Sequence, residues 1–258
     1  MSFDGFEEGP FWNEHQWESH LNEIEKRSEQ LRRFITSDPK GNLPRWITLL
    51  QESMDELDAV EAFIEEELLL DEAYFPDDED DWDDEDEDMD DDDFFFQDDV
   101  FPFFDEDEDE DDFDYGEEWK ELSEEFTFSD YGSIDNLDVY KNARGFAVDV
   151  LKWAETIPPN YRTKQVDEFV GNVLKITAKL AGGYSFGFEQ DVLGGNIAYT
   201  KKGLKSANEA LRYLQSMKKE PFIVQAVYSK FHARLFEIRN DIGIYVQELR
   251  DRFNLGLE

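Results

Sequence analysis

From Asp71 to Glu118, Asp and Glu hold well over half of the positions, and neither Lys nor Arg occurs between Arg45 and Lys120. Charge this dense cannot collapse into a core, because each ionised carboxylate would have to be stripped of water without a partner. The stretch is therefore expected to be disordered, extended and self-repelling, and it divides the chain. The expected boundaries are a helical hairpin over residues 1–70, an acidic arm over 71–130 and a helical bundle over 131–258. Aromatic residues stud the arm: Tyr74, Phe75, Trp82, Phe94, Phe95, Phe96, Phe101, Phe103, Phe104, Phe113 and Tyr115. A merely solvating tail has no need of them, and left in water they favour aggregation unless charge keeps them apart or a partner covers them.

The formal net charge of -41 argues against indiscriminate nucleic-acid binding by the whole chain and against adhesion to an anionic membrane, since both phosphate arrays repel it. Basic surfaces are the partners it favours. The excess is local, for beyond Ile134 about 18 basic side chains face about 15 acidic ones. Cysteine is absent, so neither a disulfide framework nor a thiol nucleophile is available. The start, MSFDGFEEGPFWNEHQW, has no positive n-region or apolar run, and no 18-residue apolar stretch follows. The expectation is a soluble, cytoplasmic protein.

Between His15 and Thr36, Trp17, Leu21, Ile24, Leu31 and Ile35 mark one face of an amphipathic helix, which SDPKGNLP then stops. Trp46, Ile47, Leu50, Met54, Leu57, Ile64 and Leu68 mark a second, acidic on its other face. Such a hairpin is too small to be stable alone, so its stripe should pack on the rest of the protein or on a second copy. His15 and His20, beside Glu14 and Glu18, stand about 140° apart on a helix, which does not suit a shared metal ion. The arm lacks the spaced ligands and glycine of an EF-hand loop.

After Asp130-Tyr131-Gly132-Ser133 the pattern is helical throughout. Tyr140 to Ile157 give a first helix, ended by Pro158-Pro159, and Val166 to Tyr184 a second of more than five turns. A third runs from about Phe188 to Met217 across Gly194-Gly195 and Gly203, glycines that suit close packing. Pro221 is expected to open the fourth, with Val224, Phe231, Leu235, Ile238, Ile242, Tyr245 and Leu249 on its heptad face. The fold class expected is all-α: an up-down-up-down four-helix bundle preceded by the hairpin and the long disordered acidic segment.

The run VYKNARGFAVDVLKWAETIPPNYRTKQVDEFVGNVLKITAKLAGGY, with its turn at Pro159 to Arg162, and the last helix FHARLFEIRNDIGIYVQELR, with Ile242-Gly243, carry a resemblance. About residues 136–253 resemble the bacterial four-helix-bundle family that includes the S23 intervening-sequence proteins and Avd, the accessory protein of diversity-generating retroelements. The resemblance implies a homo-oligomer, in Avd's case a pentameric ring, that contacts a reverse transcriptase and RNA through basic surface. The residues that would carry this here are Lys201, Lys202, Lys205, Arg212, Lys218 and Lys219 on or near the third helix, with Lys175 and Lys179 on the second. Gly182 departs from the acidic residue many S23-like members carry before the following glycine. The hairpin and the arm are also foreign to the family's small proteins.

Nothing in the chain has a catalytic pattern. No P-loop is present, Gly182, Gly183 and Gly187 follow a helix rather than a strand, and His232 has no nucleophile signature beside it. No catalytic residue, metal or cofactor is expected. Two binding functions remain: an oligomeric, Avd-like accessory whose bundle docks RNA or a nucleic-acid enzyme while the arm modulates access, or an assembly platform whose arms bind and inhibit a basic partner as a nucleic-acid mimic or chaperone would.

Overall fold

The computed structural model describes residues 12–35, 43–72, 128–129 and 132–255. The arm's aromatics from Trp82 to Tyr115 lie outside them. Among the described residues the protein is all-α, with seven α-helices and a single ribbon of two two-residue strands.

The amino-terminal region begins with a helix, α1 (Glu14–Ile35). Asn13 caps it: its Oδ1 accepts from the backbone N–H of His15 and Gln16, and Gln16 Oε1 accepts in return from the Asn13 N–H. The second expected helix is two, α2 (Arg45–Glu52) and α3 (Glu56–Glu72). Helical spacing runs through the break, but Asp55 turns its carboxylate onto the N–H groups of Leu57 and Asp58 and starts a new helix. Met54 and Leu57, expected on the apolar face, are consequently exposed, while Ile64 is buried as expected, beside Ala59, Val60 and Phe63. Trp46 on α2 is buried, and its indole N–H donates to Asp167 at 3.1 Å.

Strands β1 (Phe128–Ser129) and β2 (Gly132–Ser133) pair antiparallel and lead into the bundle. Its helices are α4 (Asp138–Glu155), α5 (Lys164–Ser185), α6 (Leu193–Ser216) and α7 (Gln225–Leu255). Arg162 closes the turn between α4 and α5 by donating from Nε to the Ile157 carbonyl at 3.1 Å. The helix α6 passes unbroken through Gly194, Gly195 and Gly203. Its start at Leu193, later than expected, follows turns over residues 186–192 that bury Phe188. Pro221 does not open α7, which starts four residues later. Residues 221–224 instead bury Ile223 and bring Phe222 to 6.4 Å from Trp153. Val224 is accordingly exposed, while the remaining heptad positions of α7 are buried.

One apolar core joins α2 and α3 to all four bundle helices. The most extensive contact is α5 with α6, and α1 lies outside the bundle, mainly on α6. The amino-terminal helices are thus a second layer of the same body.

Candidate functional site

Where α1 and α3 cover the bundle, they cover its lysines. Lys175 and Lys179 stand one turn apart on α5, and Lys201, Lys202 and Lys205 share a face of α6. The five line one groove of about 540 Å³ together with Glu18, Asn22 and Glu25 of α1 and Glu67 of α3.

Carboxylates from the amino-terminal helices occupy most of these cations. Lys201 Nζ lies 2.7 Å from Glu18 Oε2 and 3.6 Å from Glu14 Oε1. Lys202 Nζ lies 2.8 Å from Glu25 Oε2 and donates to Asn22 Oδ1 at 3.0 Å. Lys179 is buried among Glu67 at 3.9 Å, Glu25 at 4.0 Å and the ring of Tyr199 at 5.1 Å. Arg250 of α7 grips Glu14 with two hydrogen bonds of 2.8 Å. That grip holds the Glu14 carboxyl below its ordinary pKa, with Lys201 adding to it against the effect of burial. Burial pulls Glu25 upward, but the hydrogen bond and charge of Lys202, with Lys179 and Lys175, outweigh it and leave the carboxyl lowered.

Apolar contacts run between the charged flanks. Leu21 and Ile24 bury themselves with Ala198 and Tyr199, with Trp17 and Phe186 packed alongside. Trp17 meets Phe186 edge to face at 5.2 Å, and His20 meets Trp12 in the same way at 5.4 Å. Gly194 permits this approach, since a Cβ there would stand 2.6 Å from the Trp12 carbonyl oxygen and 2.7 Å from Trp17 Cδ1. Tyr199, an apolar position of α6, faces α1.

Of the eight basic residues singled out in the sequence, the groove gathers Lys175, Lys179, Lys201, Lys202 and Lys205 and leaves out Arg212, Lys218 and Lys219. Three of the five do not form the open cationic surface that a solvated helix face would offer, because Lys179, Lys201 and Lys202 are engaged from within the chain. Lys175 and Lys205 make no ion pair among the described residues. Arg212 is exposed, paired with Glu209 at 2.5 Å and laid over Tyr213 at 4.2 Å. Lys218 lies 5.2 Å from the centre of the Tyr228 ring, and Lys219 is exposed.

The acidic partners Glu25 and Glu67, and Arg250, carried no signal in the sequence. Glu14 and Glu18 drew notice only as neighbours of histidines. Among the described residues no group of three or more His, Asp or Glu side chains is gathered as a metal ion would require, and no helix is long and apolar enough to cross a membrane.

The chain on either side of residues 73–127 is anchored to the last turns of α5. Leu68 packs against Gly182, and the Tyr184 hydroxyl donates to the Gly132 carbonyl at 3.0 Å. Within residues 73–127 lie 31 of the chain's 66 acidic residues and one basic residue, Lys120. No protein family, characterised protein or solved structure matches the chain, so the likeness to S23 and Avd proteins rests on the residues that carry it.

Proposed function

We propose that this chain is a non-enzymatic interaction protein whose helical frame presents the acidic, aromatic segment of residues 73–127 to a cationic partner protein. The observation that supports this reading is that the lysines under the amino-terminal helices are engaged: Lys179, Lys201 and Lys202 are already held by Glu14, Glu18, Glu25 and Glu67. The segment has no such internal balance, with 31 carboxylates against one lysine. The described residues that flank it, Leu68 and Gly132, both contact α5. Its carboxylates would take arginine and lysine side chains, and its rings would lie over guanidinium planes, each such contact contributing about 0.5–2 kcal/mol. Docking RNA on the bundle, the function implied by the family resemblance, would require Lys179, Lys201 and Lys202 to give up their carboxylates or leave Lys175, Lys205, Lys218 and Lys219 to act without them.

The test compares three forms of the chain for binding of a labelled arginine-rich peptide at increasing salt. The intact chain is expected to bind it, and deletion of residues 77–114 to abolish binding. Replacing Phe94, Phe95, Phe96, Phe101, Phe103 and Phe104 by Ser at unchanged charge should weaken it by about 10-fold or more, as the loss of a few stacked rings requires. Equal binding by intact and deleted chains would overturn the proposal, as would tighter binding of a uridylate oligomer than of the peptide.

A further inference from the structure

The surface beneath α1 has a chemistry that α1 matches only in part. A strip formed by Ala198, Tyr199 and Phe186 receives Trp17, Leu21 and Ile24, and lysines stand beside it. On α1, Glu14, Glu18 and Glu25 meet Lys201 and Lys202. The match ends at the edge of the helix. There the groove of about 540 Å³ remains open, and Lys175 and Lys205 in its lining make no ion pair among the described residues. Inside the contact, the Trp17 indole N–H is buried without an acceptor among the described residues, which works against the docked state.

We propose that α1 is a displaceable, self-supplied occupant of a docking groove on α5 and α6, and that the partner of this groove is an acidic amphipathic helix of another protein. Charge and shape together select that partner. A phosphodiester chain would meet the lysines but leave the apolar strip of Ala198, Tyr199 and Phe186 bare. A helix with an apolar stripe between acidic flanks covers the strip and can form ion pairs with Lys175 and Lys205, which α1 does not among the described residues. α1 can give way because it lies outside the bundle and shares little with the main core. The groove is separate from residues 73–127, so it stands whether or not that segment binds a cationic partner.

The probe is a labelled synthetic peptide of residues 12–35 carrying Asn22→Glu, which adds a carboxylate where Asn22 lines the groove. It is titrated into the full chain, into the double variant Glu14→Ala/Glu18→Ala, and into that variant with Lys175→Glu and Lys205→Glu added. Weakening the cover should tighten probe binding by about 10-fold, and adding the two lysine reversals should undo it by at least about as much. α1 pairs with neither Lys175 nor Lys205, although the charge of Lys175 bears on its Glu25, so a further variant with Lys205→Glu alone isolates the partner's own contact. Hydrogen exchange on the same samples should show the chain's own α1 losing protection as the probe binds, while α5 and α6 keep theirs. Unchanged α1 protection at saturating probe would overturn the proposal and make α1 a fixed layer. So would an absence of saturable binding, or displacement of α1 by a uridylate oligomer at lower concentration than by the peptide.

Discussion

Lys179 and Glu67 are 5% and 4% exposed, and their charged ends lie 3.9 Å apart at the junction of α1, α3, α5 and α6. Two buried charges cost desolvation energy that their attraction only roughly offsets, so the pair adds little net stability over an apolar replacement. Removing one member is different, since it leaves the other's buried charge less compensated. Glu67→Ala is expected to destabilise the protein by about 3 kcal/mol, at the low end for a broken buried pair because Glu25 remains 4.0 Å from Lys179. The double change Glu67→Leu/Lys179→Leu should cost less than the single one. Urea unfolding at neutral pH measures both, and a double variant less stable than Glu67→Ala would show that the pair itself holds the layers together. Direction sets this pair apart from the exposed Arg212–Glu209 pair, which joins neighbours on one helix and specifies no packing.

Beside its apolar contact, α1 is attached by two carboxylates whose pKa values the fold lowers, whereas α4 has one, Asp149, on which the effect of burial is outweighed by Lys230 and Arg234 of α7. Glu14 is held down by Arg250 and Lys201, and Glu25 by Lys202 despite its burial. A carboxyl lowered in the folded state contributes its stability above its unfolded pKa, here 4.5, and loses it as pH falls through the folded value. The opposite sign holds beneath α2 and α3. Burial raises Asp167 more than the Trp46 N–H lowers it, and burial likewise raises Glu61, so acid relieves rather than breaks those contacts. Acid is therefore expected to release α1 before the rest: between about pH 7 and about pH 3 its amides should lose exchange protection while those of α5 persist. Simultaneous loss in both helices would contradict this. The elements were unevenly legible in the sequence for related reasons. The helix α5 was plain because Val166, Phe169, Val170, Val173 and Leu174 all face one core. The break before α3 was hidden because Met54 and Leu57 keep helical spacing while the Asp55 cap overrides it. Tyr199 keeps the helical spacing of α6 yet packs beneath α1, because periodicity gives a face and not what covers it. The cover on the lysines could not be seen at all: Lys201 and Glu18 meet across 183 positions, and an ion pair leaves no spacing in the sequence.

Over the whole molecule, charge and packing are carried by different parts of the chain. The helical frame has one continuous apolar core from α2 to α7, with α1 laid over it, and its Lys179, Lys201 and Lys202 are paired with its own carboxylates. Deleting residues 77–114 removes 26 acidic residues and no basic one, while residues 73–76 and 115–127 remain to join the two anchors at Gly182 and Tyr184. The packing among the described residues involves none of the deleted part, so at physiological salt the melting temperature should stay within about 2 °C of the intact chain's, a shift smaller than about 1 kcal/mol would produce. Low salt should separate the two forms. At about 0.01 M the screening length grows to about 30 Å, so the intact chain, with its net charge of -41, feels its own repulsion across the frame and should melt below the deleted form. Thermal melts of both forms at the two salt concentrations check this. A fall of more than about 5 °C on deletion at physiological salt would mean that the acidic segment contributes to the packed core, because a loss of that size requires about 1 kcal/mol or more of frame stability to reside in the residues removed.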